Sequence, residues 1–255
     1  MITTKSKYEI ELMKAAGEIL AELLENLREK IVPGISTKEL DKFAEDAIIK
    51  SGALPTFKGC PGFQGAPKFP ACVCASVNEE IIHGIPGKRI LQDGDIVSID
   101  VGCSYKGYQG DAARTYAVGN VSDEASRLIT VTRDCFFAGI KNAVPGKRVI
   151  DVSGAIQDLA ESNGFSLVRD FTGHGIGTEM HEDPEIPNYR TNRRGIMFIP
   201  GIAIAVEPML CAGTYETVID KKDRWTVRTA DGKLSAHYEN TIIVTDGDPI
   251  ITTLI

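Results

Sequence analysis

The stretch "DIVSIDVGCSYKGYQGDAART", residues 95–115, carries two aspartates where an apolar strand is predicted. Ile96 and Ile99 favour a dry environment and Asp100 stands beside them, with Asp111 eleven positions later. A buried carboxylate that has no partner costs several kcal/mol. The stretch therefore predicts a partner for Asp100, and the rest of the chain indicates what that partner is.

Two helical segments of the chain repeat one another. "VPGISTKELDKFAEDAIIKSG", residues 32–52, and "VPGKRVIDVSGAIQDLAESNG", residues 144–164, both open with V-P-G and close on a glycine without a gap. Ser36 with Glu39 forms a capping box in the first copy, and the closing glycines suit the position just after a helix. Each segment therefore predicts one helix.

Another amphipathic helix is predicted before each of these segments. The earlier one spans roughly residues 7–29, with Ser6 and Glu9 as its capping box, and the later one begins after Ser122. The pattern thus predicts that each half of the chain consists of two helices followed by strands.

The strands of the two halves carry matching side chains in the same order: a His-Gly-Ile, a carboxylate at the end of an apolar strand, and a carboxylate that opens another strand. These residues are His83, Asp100 and Asp111 in the first half, and His174, Glu207 and Glu239 in the second. Two related halves facing each other would bring all six to one pseudo-two-fold axis. Four unpaired buried carboxylates repel one another, whereas two divalent cations neutralise four negative charges. Oxygen ligands with imidazole suit Mn²⁺, Fe²⁺ or Co²⁺, so the predicted partner of Asp100 is metal.

Composition limits the class of protein. The chain has 255 residues, 43% of them hydrophobic, and a net charge of −7, which argues against DNA or RNA as the main ligand. It has no run of eighteen apolar residues, and "MITTKSKYEI" lacks the apolar stretch of a signal peptide, so neither a membrane span nor export is predicted. Its six irregularly spaced cysteines are typical of reduced thiols. We expect a cytoplasmic enzyme with one catalytic domain over residues 1–255, its halves roughly residues 1–120 and 121–255.

The motifs "NEEIIHGIP", "IDVG", "GDAART", "TGHGIG", "VEPML" and "YENT" together resemble those of the type I methionine aminopeptidases over essentially the whole chain. The resemblance implies an α+β pita-bread fold, in which two pseudo-symmetric helix-helix-strand halves surround a central antiparallel sheet. It also implies removal of the N-terminal methionine from nascent proteins and peptides when the second residue is small. Glu207 and Glu239 are too close in sequence to hold the insertion of the type II enzymes, so the short bacterial-type form is indicated.

The resemblance also implies roles for the six matched residues. Two divalent ions, Mn, Fe or Co with Zn as a further candidate, share a hydroxide that attacks the carbonyl after the methionine. Asp100 chelates one ion, Asp111 and Glu239 bridge both, and His174 and Glu207 complete the shell of the second. Glu207 is also the general base.

Substrate contacts carry over from the same resemblance. His83 and His181 contact the substrate and stabilise the tetrahedral intermediate. The methionine pocket corresponds to Cys60, Phe63, Cys74, Met180 and Trp225, whose sulfur and aromatic surfaces suit a thioether. Asn78 and Ser235 match a site for Na⁺ or K⁺ found in some relatives. His237 lies two positions before one of the metal ligands and is expected beside the ligand set, not within it.

Nascent polypeptide N-termini are the implied substrates of a monomeric enzyme. The basic loop "YRTNRRG", with Arg190, Arg193 and Arg194, is either a contact to the ribosome near the exit tunnel or a solvated surface loop. Two other functions stay open: another pita-bread hydrolase such as an X-Pro aminopeptidase, and a non-enzymatic pita-bread binding module. Modules of the second kind typically lose metal ligands, and all five are present here.

Overall fold

The computed structural model describes residues 2–62 and 65–255, and within these ranges it has four α-helices and fifteen β-strands. The helices are α1 (Lys7–Lys30), α2 (Thr37–Lys50), α3 (Asp123–Ile140) and α4 (Val149–Ser162). The strands of the first half are β1 (Leu54–Pro55), β2 (Val73–Val77), β3 (Glu80–Ile82), β4 (Ile96–Tyr105) and β5 (Tyr108–Ala117). Those of the second half are β6 (Ser166–Leu167), β7 (Gly173–Gly175), β8 (Glu182–Ile186), β9 (Ala203–Val206), β10 (Met209–Cys211), β11 (Thr217–Ile219), β12 (Val227–Thr229), β13 (Ser235–His237), β14 (Glu239–Ile243) and β15 (Ile250–Ile251).

Local capping sets the starts of the first two helices, as predicted. The Ser6 side chain accepts from the backbone N–H of Glu9, and the Glu9 carboxylate accepts from that of Ser6 at 2.7 Å. Ser36 and Glu39 make the same reciprocal pair at α2. Each pair satisfies donors that the first helical turn leaves without an intrahelical partner. The helix predicted after Ser122 also forms, with that serine as its cap.

A nine-stranded antiparallel sheet forms the centre of the described molecule. Its strand order is β1-β4-β5-β14-β9-β7-β8, with β2 also paired to β4 and β15 to β14. β4 and β5 form one long hairpin, in register from Ile96 opposite Ala117 to Tyr105 opposite Tyr108. Asp111 lies at the fourth position of β5, so the expectation that it opens a strand is wrong. The pairing of β5 with β14 joins the two halves of the chain.

All four helices pack against one face of this sheet. Residues of α1 and α2 share a buried cluster with Ile99 and Val101, and residues of α3 and α4 share one with Ile204 and Val206. Side chains alternate between the two faces of a strand. Asp100 and the residue that follows β9, Glu207, therefore point to the opposite face.

Two three-stranded sheets, β13-β10-β6 and β11-β12-β3, lie beside the central sheet. β3 leads into His83, and β12 follows Trp225, so the second small sheet brings these two side chains together. None of the helices in the described part of the chain is long and apolar enough to cross a membrane.

Candidate metal centre and adjoining pocket

Five consecutive strands of the central sheet carry the five predicted metal ligands. On the first three strands, Asp100 of β4 is paired with Ala113 of β5, which is paired with Glu239 of β14. Directly opposed residues share a face of the sheet, and Asp111, two positions before Ala113, shares it too. Three carboxylates thus project from neighbouring strands into one space.

The last two ligands enter from β9 and β7. Glu207 follows β9 directly, and His174 of β7 is paired with Ala205 of β9. His174 Nε2 lies 3.7 Å from Asp111 Oδ2 and 3.8 Å from Glu207 Oε1. The ligand atoms of Asp111, His174 and Glu239 lie within 4.8 Å of one another. The structure therefore brings all five residues to one site.

The glycines of "TGHGIG" allow β7 to approach its neighbours closely. A methyl group on Gly173 would lie 2.4 Å from the carbonyl oxygen of Ala205, and one on Gly175 would lie 2.1 Å from that of Asp183. Both distances are far inside van der Waals contact. These glycines hold His174 at the position where it meets the carboxylates.

Burial is the main cause of the raised pKa values of the four carboxyl groups. It raises the pKa of Asp100 to about 7 and holds the pKa values of Asp111, Glu207 and Glu239 well above the ordinary carboxyl range, with mutual repulsion adding to the last three. Oδ1 of Asp100, Oδ1 of Asp111 and Oε1 of Glu239 are buried and have no hydrogen-bond partner in the described structure.

His174 is oriented as a ligand would be. Its Nδ1–H donates to the carbonyl oxygen of Gly175 at 2.9 Å, which leaves the Nε2 lone pair facing the carboxylates. Burial lowers the pKa of His174 to about 4, so the ring is neutral near pH 7. Carboxylate oxygens without hydrogen-bond partners and a neutral imidazole surround one space, and together they form a donor set that fits a divalent cation.

Hydrogen bonds to the backbone fix two of these ligands. The Arg114 guanidinium donates to the carbonyl oxygen of Glu239 at 2.5 Å and to Oδ1 of Asn240 at 2.6 Å. The Thr241 hydroxyl bonds both the N–H and the carbonyl of Asp111 at 3.0 Å. The carboxylates are thereby held in place by neutral and positive groups that do not reach their side chains.

A cavity of about 560 Å³ opens from the carboxylates, and several predicted pocket residues line it. Cys60, Cys74 and Trp225 lie on its wall with His83. The His83 ring meets the edge of Trp225 at 5.9 Å and that of Phe171 at 5.8 Å between centroids. Burial lowers the pKa of His83 to about 4 and raises those of both cysteine thiols, so all three side chains are uncharged at neutral pH.

Two predicted pocket residues are not found on this wall. Phe63 lies outside the described residues. Met180 is not among the described residues that line the cavity, and lies in a buried cluster with Met13 and Ile176. Gly102 lies two positions after Asp100 on the same face of β4, and a methyl group on it would lie 2.5 Å from Met180 Cε, so Met180 packs on the carboxylate face of that strand.

His181 lies at the solvent-exposed rim of the cavity. Its ring centroid is 4.4 Å from that of His174, and partial burial lowers its pKa below the usual histidine value. His83 and His181 thus both face the space in front of the carboxylates.

The two residues predicted for a monovalent cation are neighbours. The backbone N–H of Ser235 donates to the carbonyl oxygen of Asn78 at 2.9 Å. The Asn78 amide bonds Asp95 and the N–H of Ile96, and the Ser235 hydroxyl donates to the carbonyl of Leu210. Both side chains have protein partners, and the cation site stays a prediction.

Sequence reasoning did not identify several residues of the site. Phe57, Phe69 and Phe171 line the cavity, and no periodic pattern distinguishes such loop aromatics from core residues. His237 was expected beside the ligand set, and its ring does lie beside Glu207 and Glu239. Its spacing of two from Glu239 placed it on the same side, but only the structure shows that it has no other partner.

The chain is similar to known proteins over its full length. A model of metallopeptidase family M24 matches residues 11–246. A methionine aminopeptidase of Clostridium perfringens is 52% identical and one of Clostridium acetobutylicum 51% identical; each alignment spans 255 residues, which is 100% of this chain and 100% and 99% of the respective relative. A solved structure of a methionine aminopeptidase from Thermotoga maritima superposes with a TM-score of 0.94 at 42% identity, with 100% of both chains covered.

Proposed function

The chain belongs to metallopeptidase family M24, and from that membership we propose that it removes the N-terminal methionine from nascent proteins and peptides whose second residue is small. The observation that carries the proposal is the convergence of five donor residues from five adjacent strands at the end of an apolar cavity. The name shared by full-length relatives supports methionine as the residue removed.

The proposed centre holds two divalent ions, Mn²⁺, Fe²⁺ or Co²⁺, with Zn²⁺ as a further candidate. Asp100 would bind one ion, Asp111 and Glu239 both, and His174 with Glu207 the other. The unpartnered oxygens of Asp100, Asp111 and Glu239 support this assignment. Such ions, when bound, polarise a carbonyl and lower the pKa of water.

The remaining chemistry falls to the protein's own side chains. The Glu207 carboxylate would accept the proton of the attacking water and pass it to the departing amine. His83 and His181 would donate N–H groups to the oxygen that becomes negative in the transition state. Their lowered pKa values support neutral rings for this task.

The cavity wall would contact the methionine side chain, and its rim would contact the second residue. Cys60, Cys74 and Trp225 would contact the methionine side chain, with Phe63 and Met180 as further proposed contacts. Phe69 packs edge-on against Trp225 at 5.1 Å, which stiffens this wall. His83 and His181 would flank the second residue as it leaves the cavity, and this crowding would select for Gly, Ala or Ser there.

Several further assignments belong to the same proposal. We place the enzyme in the cytoplasm as a monomer with one domain in two halves, acting on nascent chains near the ribosomal exit tunnel. Arg193 and Arg194 would contact the ribosome, whereas Arg190 is engaged in a two-pronged ion pair with Asp158 at 2.6 Å. A Na⁺ or K⁺ ion near Asn78 would stabilise the loop after β2.

A peptide-cleavage assay tests the function. Chelator-treated protein is assayed on Met-Ala-Ser, Met-Arg-Ser and Ala-Pro peptides with Mn²⁺, Fe²⁺, Co²⁺ or Zn²⁺ added back, with Asp111→Asn as a matched variant of equal size. We expect metal-dependent cleavage of Met-Ala-Ser alone, and loss of it in the variant.

The other outcomes discriminate between the alternatives. Full activity after chelation contradicts the metal centre, and equal turnover of Met-Ala and Met-Arg contradicts the proposed selectivity. Faster cleavage of Ala-Pro favours an X-Pro aminopeptidase. Metal binding without cleavage of any peptide favours a binding module.

A further inference from the structure

His237 is a buried histidine whose ring has no partner. Its side chain is 2% exposed, and neither Nδ1 nor Nε2 makes a hydrogen bond in the described structure. Its backbone is fully bonded, since its N–H donates to the Thr115 hydroxyl at 2.9 Å and its carbonyl accepts from that hydroxyl at 2.8 Å. Buried polar groups are nearly always satisfied, so this ring requires an explanation.

The ring lies beside two of the carboxylates. Nε2 lies 3.7 Å from Glu239 Oε2 and 3.9 Å from Glu207 Oε2, too far for hydrogen bonds. Donors that each lie about 2.1 Å from one ion are separated by roughly 3–4 Å. The ligand atoms of Asp100, His237 and Glu239 all lie within 4.8 Å of one another.

The two histidines occupy matching positions in the cluster. His174 Nε2 lies 3.7 Å and 3.8 Å from its two nearest carboxylates, and His237 Nε2 lies 3.7 Å and 3.9 Å from its own. A ring that hydrogen-bonded to a carboxylate, protonated or neutral, would bring Nε2 to within about 3.2 Å of an oxygen, and the observed distances of 3.7 and 3.9 Å are longer. A neutral ring offers the carboxylates a lone pair or one N–H, and at these distances it makes no hydrogen bond to them.

We propose that His237 Nε2 is a ligand of the cation held by Asp100 and Glu239, so that each ion of the centre has one imidazole. This inference rests on the proposed metal centre and adds a donor to it. Imidazole favours Fe²⁺, Co²⁺ and Zn²⁺ over Mn²⁺ more than an oxygen ligand does. The Asp100 side of the centre should therefore discriminate against Mn²⁺.

Proton NMR of the Co²⁺-loaded full-length protein tests the proposal. A histidine bound to Co²⁺ gives a strongly shifted ring N–H signal, so wild type should show two such signals, one each from His174 and His237. His237→Gln should lose one of them and bind Co²⁺ at least about tenfold more weakly at one site by calorimetry, with a smaller change for Mn²⁺. His181→Gln, which alters a cavity imidazole outside the proposed donor set, should keep both signals.

The outcomes separate this inference from the proposed function. A single shifted N–H in fully loaded wild type, or both signals retained in His237→Gln, would overturn the assignment and leave the centre intact. Wild type that binds no Co²⁺ would overturn the centre and this inference with it. The wild-type count needs no variant, so the test stands even if His237→Gln does not fold.

Discussion

Gly175→Ala should displace His174, because the methyl group has no room. It would lie 2.1 Å from the carbonyl oxygen of Asp183 and 2.9 Å from that of Glu182, both of them backbone atoms of β8. Ordinary contact begins near 3.4 Å, so β7 and β8 must separate by roughly 1 Å. Gly175 does not have a positive φ, so the cost is steric and not conformational.

The expected magnitude follows from that displacement. Overpacking typically costs about 1–3 kcal/mol, and we expect the upper end because backbone, not a side-chain end, has to move. His174 is the adjacent residue, and a misplacement of about 1 Å can lower a rate by about 10²-fold. Urea unfolding of the chelated protein measures the free-energy change, and kcat on Met-Ala-Ser with calorimetry of Co²⁺ binding measures the effect on the site.

Gly177→Ala is the matched control in the same motif. A methyl group there would meet the ends of the Lys5 and Glu182 side chains, which form an ion pair at 2.7 Å and can shift without any movement of the backbone. Gly177 also lacks a positive φ. We expect less than about 1 kcal/mol and near-normal activity. If the two variants lose stability and Co²⁺ affinity equally, the steric account of "TGHGIG" fails.

Three further predictions concern the site. Asp111→Asn should lose at least one metal by calorimetry and all measurable peptide cleavage; two bound ions of unchanged affinity would contradict a bridging role. His181→Ala should lower kcat by about 10²–10³-fold yet still bind two ions, since only an oxyanion donor is lost, whereas His174→Ala should lose metal occupancy along with activity; the reverse pattern of metal loss would reverse the assignment. Because the carboxyl pKa values are raised, the metal-free folded state holds more protons than the unfolded chain. The stability that these carboxyl groups contribute is therefore present below about pH 4. It is lost as pH rises through their pKa values in the folded state, about 7 for Asp100. The Tm of chelated protein should therefore fall more steeply over that window than the Tm of Asp100→Asn, and parallel profiles would show that the cluster is not the cause.

Local features of the fold were predictable from the sequence. The Ser6–Glu9 and Ser36–Glu39 boxes mark the starts of α1 and α2 because each pair lies within one turn. The glycine that follows α2, Gly52, has φ 82°, as a residue just after a helix requires. The α+β pita-bread class and the family are also confirmed.

The parts that depend on non-local pairing were harder to predict. Asp111 was expected at a strand start, but the β4–β5 hairpin continues past it because Gly102 pairs with it and Gln109 still pairs with Ser104. No local pattern encodes such a continuation. Met180 follows His174 by six residues and lies in a buried cluster with Met13 and Ile176, a neighbourhood that sequence spacing cannot reveal.

The five predicted ligands could be identified from the sequence, whereas no sequence pattern placed His237 among them. Asp100 stood out because a charge interrupts an apolar run. His237, by contrast, lies in "SAHYENT" among ordinary strand residues, and only its unsatisfied ring nitrogens distinguish it. Satisfaction of polar atoms is a property of the packed structure.

The pairing of β5 with β14 has a consequence for synthesis. Asp111 belongs to the first half of the chain, and Glu239 lies among its last seventeen residues. During translation the N-terminal helices and the β4–β5 hairpin can form early, since their contacts are local. The complete donor set cannot exist until β14 has emerged. A product truncated before β14 would carry Asp100 and Asp111 without Glu239, so the proposed cation site distinguishes chains that include β14 from chains that do not.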